Sequence, residues 1–164
     1  MDHLTGRLPI GCKYTQQKNS HAMATFAPEI DQAWNHLKES SLKWFTFRFS
    51  DTEPNKLIKD MEGTGDWEEF LSQFGPKDLK YAIFRAIAVD DESRRTKFIM
   101  VSWSGTGCSA MKRSKISSNK VKVYDMFKPH VDVQASEIIE LSKDEMIIKL
   151  NSSTGAHKPQ FYEL

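Results

Sequence analysis

Two neighbouring stretches, residues 79–89 (LKYAIFRAIAV) and 97–103 (KFIMVSW), are apolar on both of their alternating faces. A strand with one wet face alternates apolar and polar residues, so a strand without that alternation must be covered on both sides. Between the two runs, residues 90–93 (DDES) are acidic and polar, a turn composition. The pair therefore reads as a hairpin inside a sheet with helices on each face. No other feature restricts the fold as much, because the chain must supply flanking strands and amphipathic covers for both surfaces.

The remaining sequence offers them in order. Ile30, Trp34 and Leu37 follow helical spacing, with Pro28 suited to a first turn and Glu29 and Asp31 favourable against the helix dipole, which predicts a helix over 29–40. Residues 43–49 (KWFTFRF) alternate around aromatics and predict a strand, and 56–61 a weaker one after a turn at 51–55. Asp66 with Glu69 has capping-box spacing ahead of Trp67, Phe70, Leu71 and Phe74, and Gly75-Pro76 stops that helix. Residues 109–127 fit one helix with Ile116, Val123, Tyr124 and Phe127 on a face, although the same register places Lys120 in the apolar stripe. Either Lys120 snorkels or the helix kinks near residues 117–119. Residues 131–141 alternate like a strand, and Ser142 with Glu145 forms a second cap before Met146, Ile147 and Leu150. The order predicts an α/β fold, a central mixed β-sheet flanked by helices on both faces.

A length of 164 residues suits one domain. Its expected limits are 23–151, after a loose leader over 1–22 and before a polar tail over 152–164. His21-Ala22-Met23 has the look of a cloning junction, with Met23 a second start, so the leader is left out of the fold. No apolar run approaches the roughly 18 residues of a membrane span, nor is there a secretory signal core. Cys12 and Cys108 lie far apart, outside any Cys-x-x-Cys spacing, and none of the five His residues has ligand spacing to another His or to Cys. The expectation is a cytoplasmic chain without disulfide, metal or cofactor. Trp34, Trp44, Trp67 and Trp103 are expected core aromatics.

Charge is distributed unevenly. Residues 94–124 hold eight Lys or Arg and no Asp or Glu, within a chain of net charge +1. Such a run is ordinarily a solvated face; here it covers a strand, a Gly-rich turn and a helix start. The expectation is that strand edge and helix start meet in space and dock on an acidic partner. A competing reading is enzymatic. Gly105-Thr106-Gly107-Cys108-Ser109-Ala110 matches G-x-G-x-x-A after a strand and before a helix, with Asp125 twenty positions on from Gly105. Against it, the helix begins with cations, and the preceding strand is an antiparallel hairpin member where the fingerprint needs a parallel crossover. Nucleic-acid binding lacks aromatics interleaved with the lysines, and no other catalytic motif is present.

The strings Trp44-Phe45-Thr46-Phe47, Tyr81-Ala82-Ile83-Phe84-Arg85, residues 95–103 and Met111-Lys112-Arg113-Ser114-Lys115, taken in this order, resemble the actin-depolymerising-factor homology (ADF-H) family, whose fold is gelsolin-like. The resemblance spans roughly 23–151 and is nearest to the coactosins. It implies a monomeric cytoskeletal protein that binds filamentous actin and carries out no catalysis. By position it marks Lys97, with Arg94 and Arg95 before it, and Lys112, Arg113 and Lys115 on the long helix, as actin contacts. The same cations would suit acidic phosphoinositide headgroups. The helix start lacks the Lys-Ser-Lys-Met order of cofilins, which argues for binding along filaments over the cofilin-like alternative of severing and monomer capture.

Overall fold

The hairpin forms as predicted and is longer than its apolar core. In the computed structural model, which describes residues 23–164, β4 (Leu79–Val89) pairs antiparallel with β5 (Arg94–Ser104) along its whole length. The predicted leader, and Cys12 within it, lie outside the described residues. Upstream are β1 (Thr25–Phe26), α1 (Pro28–Glu39), β2 (Trp44–Phe49), β3 (Lys56–Gly63) and α2 (Trp67–Leu71). Downstream are α3 (Ala110–Phe127), β6 (Val131–Ala135), a short 3-10 turn at Ile138–Leu141, α4 (Lys143–Ser152) and β7 (Phe161–Glu163). Strand order is β1-β3-β2-β4-β5-β6, with β7 added to β4.

The period of two along β5 divides the core into two layers. Ile99, Val101 and Trp103 face α2 and α4, meeting Trp67, Phe70, Met146 and Leu150. Met100 faces the other way, toward Ile30 and Leu37 of α1 and Ile116, Val123 and Phe127 of α3. Trp44, Trp67 and Trp103 are buried as expected; Trp34 is only half-buried, with its ring edge against Phe98 at 4.6 Å between centroids. Both predicted caps form: Asp66 accepts from the Glu69 N–H at 3.1 Å and Ser142 from the Glu145 N–H at 3.3 Å.

One open alternative is decided and three expectations need correction. Of the two readings of Lys120 the first holds, without a kink in α3: Lys120 leaves the apolar stripe sideways and pairs with Asp132 of β6 at 3.1 Å. The strand expected over 131–141 ends at Ala135, because the Glu140 carboxylate accepts from the backbone N–H groups of Ser136 and Glu137 and turns the chain. The polar stretch after residue 151 contributes β7, with Tyr162 and Leu164 against the core. And β5 does have a parallel crossover partner, β6, reached through α3, so the topological objection to a dinucleotide site is removed.

A different observation disposes of that site. The loop after β5 is already filled by the chain at Gly75-Pro76: a Cβ on Gly105 would lie 2.3 Å from the Pro76 carbonyl oxygen. The Gly105 and Gly107 N–H groups donate to the Asp78 and Pro76 carbonyls, at 3.0 and 2.7 Å. The amides a pyrophosphate would need are therefore used in packing one loop on another. The glycines serve close backbone approach.

Candidate functional site

A strand advances roughly 3.3 Å per residue, and α3 turns the chain back along the sheet. The cationic residues therefore do not form one patch. Lys112, Arg113 and Lys115 sit beside the end of β5 at Ser104, whereas Arg94, Arg95 and Lys97 sit at its start. The far end of α3 returns to that start: Lys128 closes the helix with φ 46°, and the His130 N–H donates to the Phe98 carbonyl at 2.9 Å. At roughly 1.5 Å per residue the two groups lie about 25 Å apart, the length of α3. The strand edge and the helix start therefore do not meet in space as expected, because the length of β5 keeps its basic start away from the start of α3.

At the helix start the cations are held differently from one another. Ser109 caps α3, accepting weakly from the Lys112 N–H at 3.4 Å. Lys112 and Lys115 stand one turn apart and line an open cleft of about 760 Å³ with Arg48, Lys77 and Lys80. Asp60 and Asp78 in the same cleft engage Lys80, at 3.1 and 3.8 Å. Lys115 donates to the Pro54 carbonyl and lies 4.1 Å from the Phe49 ring centroid, and burial holds its pKa below the ordinary lysine value. Arg113 turns to the other side of α3, into the groove beside Gln134 and Glu140, where its Nε is buried without a partner. Lys112 enters no ion pair among the described residues.

The helix itself is tied to the sheet. The Tyr81 hydroxyl donates to the Ile116 carbonyl at 2.6 Å inside the core, and burial pushes the phenol pKa far up. The free face of α3 is not the basic one: Met111 is 83% exposed, Val121 69%, with Ser114 and Ser118 between. An exposed Met beside lysines is the composition of an interface anchor. Met111 lies in the string that carried the family resemblance, yet charge reasoning passed over it because it is uncharged.

At the hairpin end, alternation sends Arg95 and Lys97 to one face and Arg94 to the other. Arg94 pairs with Glu163 at 2.6 Å and Arg95 with Asp90 at 2.9 Å. Lys97, half-buried and opposite Ala86, has no anionic partner among the described residues. Beside it the His130 Nδ1 accepts from the Phe98 N–H at 3.0 Å. Burial first, and the Lys97 ammonium second, hold the His130 pKa below the usual histidine value.

Among the described residues there is no cluster of His, Cys, Asp or Glu suited to a metal, and no helix long and apolar enough to cross a membrane. The model of the cofilin/tropomyosin-type actin-binding proteins matches residues 23–151. Coactosin of Entamoeba histolytica is 35% identical over 107 residues, covering 64% of this chain and 72% of the relative. Coactosin of Dictyostelium discoideum is 29% identical over 132 residues, 78% of this chain and 89% of the relative. The crystal structure of the Entamoeba coactosin superposes with a TM-score of 0.71 at 28% identity, over 81% of this chain and 98% of that one.

Proposed function

The chain belongs to the cofilin/tropomyosin-type actin-binding family, a family of binding proteins and not of enzymes, and from that premise we propose that it binds along actin filaments without severing them or sequestering monomers. The observation that carries this reading is the separation of its two cationic groups by the length of α3. A single acidic cavity could engage one group only. A partner that presents acidic surface at two places about 25 Å apart engages both, and a polymer of repeated subunits supplies such pairs of places all along its length.

Lys97 and Lys112 are the freest contributors, Met111 the apolar anchor, and Arg94, Arg95, Arg113 and Lys115 act after local rearrangement of their present contacts. The case against cofilin-like monomer capture is local. The helix begins Ala110-Met111-Lys112-Arg113-Ser114-Lys115, without the cofilin order. Its neighbour in the fold, Thr25–Phe26, is committed to pairing with β3, and the Ala24 N–H donates to Asn119 of α3 at 3.0 Å. The reading places the protein at the cytoskeleton, as a monomer.

Co-sedimentation with filaments, combined with fluorescence microscopy of labelled filaments, tests it. The expected result is decoration with filament length unchanged. Frequent breakage, or a rise in unpolymerised actin in proportion to added protein, would favour the severing or sequestering reading.

A further inference from the structure

The outer half of the β4–β5 hairpin is closed off by the chain's own C-terminal segment. β2 pairs with β4 only from Tyr81 to Phe84, which leaves the edge of β4 beyond it open. β7 covers that edge, Glu163 opposite Ile87 and Phe161 opposite Val89. An uncovered edge would offer unpaired backbone groups to any extended chain. The same segment supplies Glu163, which holds Arg94 at 2.6 Å. His157 approaches Asp90, the partner of Arg95, at 3.6 Å.

The hold is light. β7 has three residues, Phe161 at its start is 52% exposed, and the Arg94 and Glu163 side chains are 59% and 40% exposed. Its attachments inward are Tyr162, which packs on the core and donates to Asn151 at 3.1 Å, and the partly buried Leu164; ahead of it Gln160 donates to the Val89 carbonyl and to Asp91. A short, exposed strand with few buried contacts opens at far less cost than the sheet it leans on.

We infer that residues 157–164 form a detachable strap whose Glu163 occupies Arg94 and so competes with an acidic partner for the hairpin end. This rests on the filament-binding reading above. When the strap is closed, Lys97 is the one of the three predicted hairpin cations that has no anionic partner among the described residues. When it opens, Arg94 is released toward the partner and the edge of β4 is exposed next to it. Affinity is therefore set in part by a competition inside the free protein, since a binding-competent state that is only partly populated weakens apparent affinity by its fraction.

Glu163→Gln leaves the β7 backbone able to pair with β4 and removes the charge. Filament co-sedimentation should tighten about two- to fivefold, the range of an exposed ion pair. In an Arg94→Gln background the same change should have no effect. Unchanged or weaker binding, or a gain that persists without Arg94, overturns the strap. Hydrogen exchange in the free protein provides a reading that needs no actin: Glu163→Gln should speed exchange at the Phe161–Glu163 amides while the β4–β5 ladder stays protected. Equal exchange in the two proteins overturns the competition even if filaments are bound. Faster exchange together with no filament binding by the native sequence would leave the strap standing and reject the filament reading.

Discussion

The start of α3 and the outer end of the β4–β5 hairpin carry the same kinds of side chain and are built in opposite ways. α3 is locked to the sheet by a buried phenol and by Ile116, Val123 and Phe127 beneath it. Its cations are presented by a rigid element, and one of them, Lys115, is fastened to a neighbouring loop. The hairpin end projects past β2 and is supported from one side by a three-residue strand, and both of its arginines are occupied by anions. The difference teaches that a basic run in sequence says how much positive charge is available, not how much is free. Rigid presentation lowers the entropic cost of docking at one end; at the other, internal anions must be displaced first.

The largest expected effect removes the common support. Phe127 meets Trp34 at 5.2 Å and Phe47 at 5.4 Å between ring centroids, and it pins the end of α3 nearest the hairpin. Phe127→Ala should lower unfolding free energy by about 3–5 kcal/mol, as for other large-to-small aromatic truncations, read from the denaturant midpoint at unchanged m-value. A loss below about 1 kcal/mol would show that this ring cluster is not the hinge between the two regions. Next, Tyr81→Phe leaves the ring in place and takes one donor from a buried carbonyl. About 1–3 kcal/mol of stability should be lost, with filament binding weakened through loosening of α3 and the hairpin end unaffected. Hydrogen exchange that slackens across β5 as strongly as in α3 would contradict a support specific to the helix.

A third experiment asks whether the two regions act independently. Lys97→Ala and Lys112→Ala should each weaken filament binding by about 1 kcal/mol, the lower bound of a consequential contact, without loss of fold. Because the sites lie about 25 Å apart, the double variant should lose the sum to within about 0.5 kcal/mol. A coupling energy above that would mean one shared acidic feature contacts both, and the picture of two separate footholds would fail.

What could be read from sequence follows the range of the physics involved. The hairpin, both N-caps and the two-layer core were legible because double-sided apolar runs and Asp66 or Ser142 three residues ahead of a Glu are local signals. β7 was not, since Phe161 and Tyr162 sit among polar residues and the strand is held by backbone pairing with an edge some 70 residues away. The Lys120 position looked like a conflict because its resolution is Asp132, brought alongside by the parallel placement of β6. The six predicted cations are where strand and helix assignments put them. Their division into two groups was hidden by the length of β5, 11 residues from Arg94 to Ser104. Met111 and Glu163 escaped for a related reason: an exposure and a cross-strand pairing are properties of the folded surface.

The smallest expected effect, dependence on pH at the hairpin end, sharpens the comparison because α3 has no counterpart to His130. The His130 Nδ1 accepts a hydrogen bond from the Phe98 N–H, which requires that nitrogen to be unprotonated. Burial and the neighbouring Lys97 ammonium both disfavour a charged ring, so the folded pKa lies below the ordinary value of 6.5. Below that value the unfolded chain takes up this proton more readily than the folded one, and stability must rise with pH. The contribution is fully present above about pH 6.5, the unfolded histidine value, and is lost as pH falls beneath it. His130→Asn retains a side-chain oxygen able to accept from Phe98 and cannot titrate in this range. The native sequence should therefore lose ground to the variant as denaturation is followed from pH 7.5 to 5.5, with protection of the amides, relative to their intrinsic exchange at each pH, falling first at Phe98 and its neighbours in β6. A stability difference that stays constant across that window would show that the Phe98 contact survives protonation, and the contrast between the hairpin end and the histidine-free α3 would fail on this point.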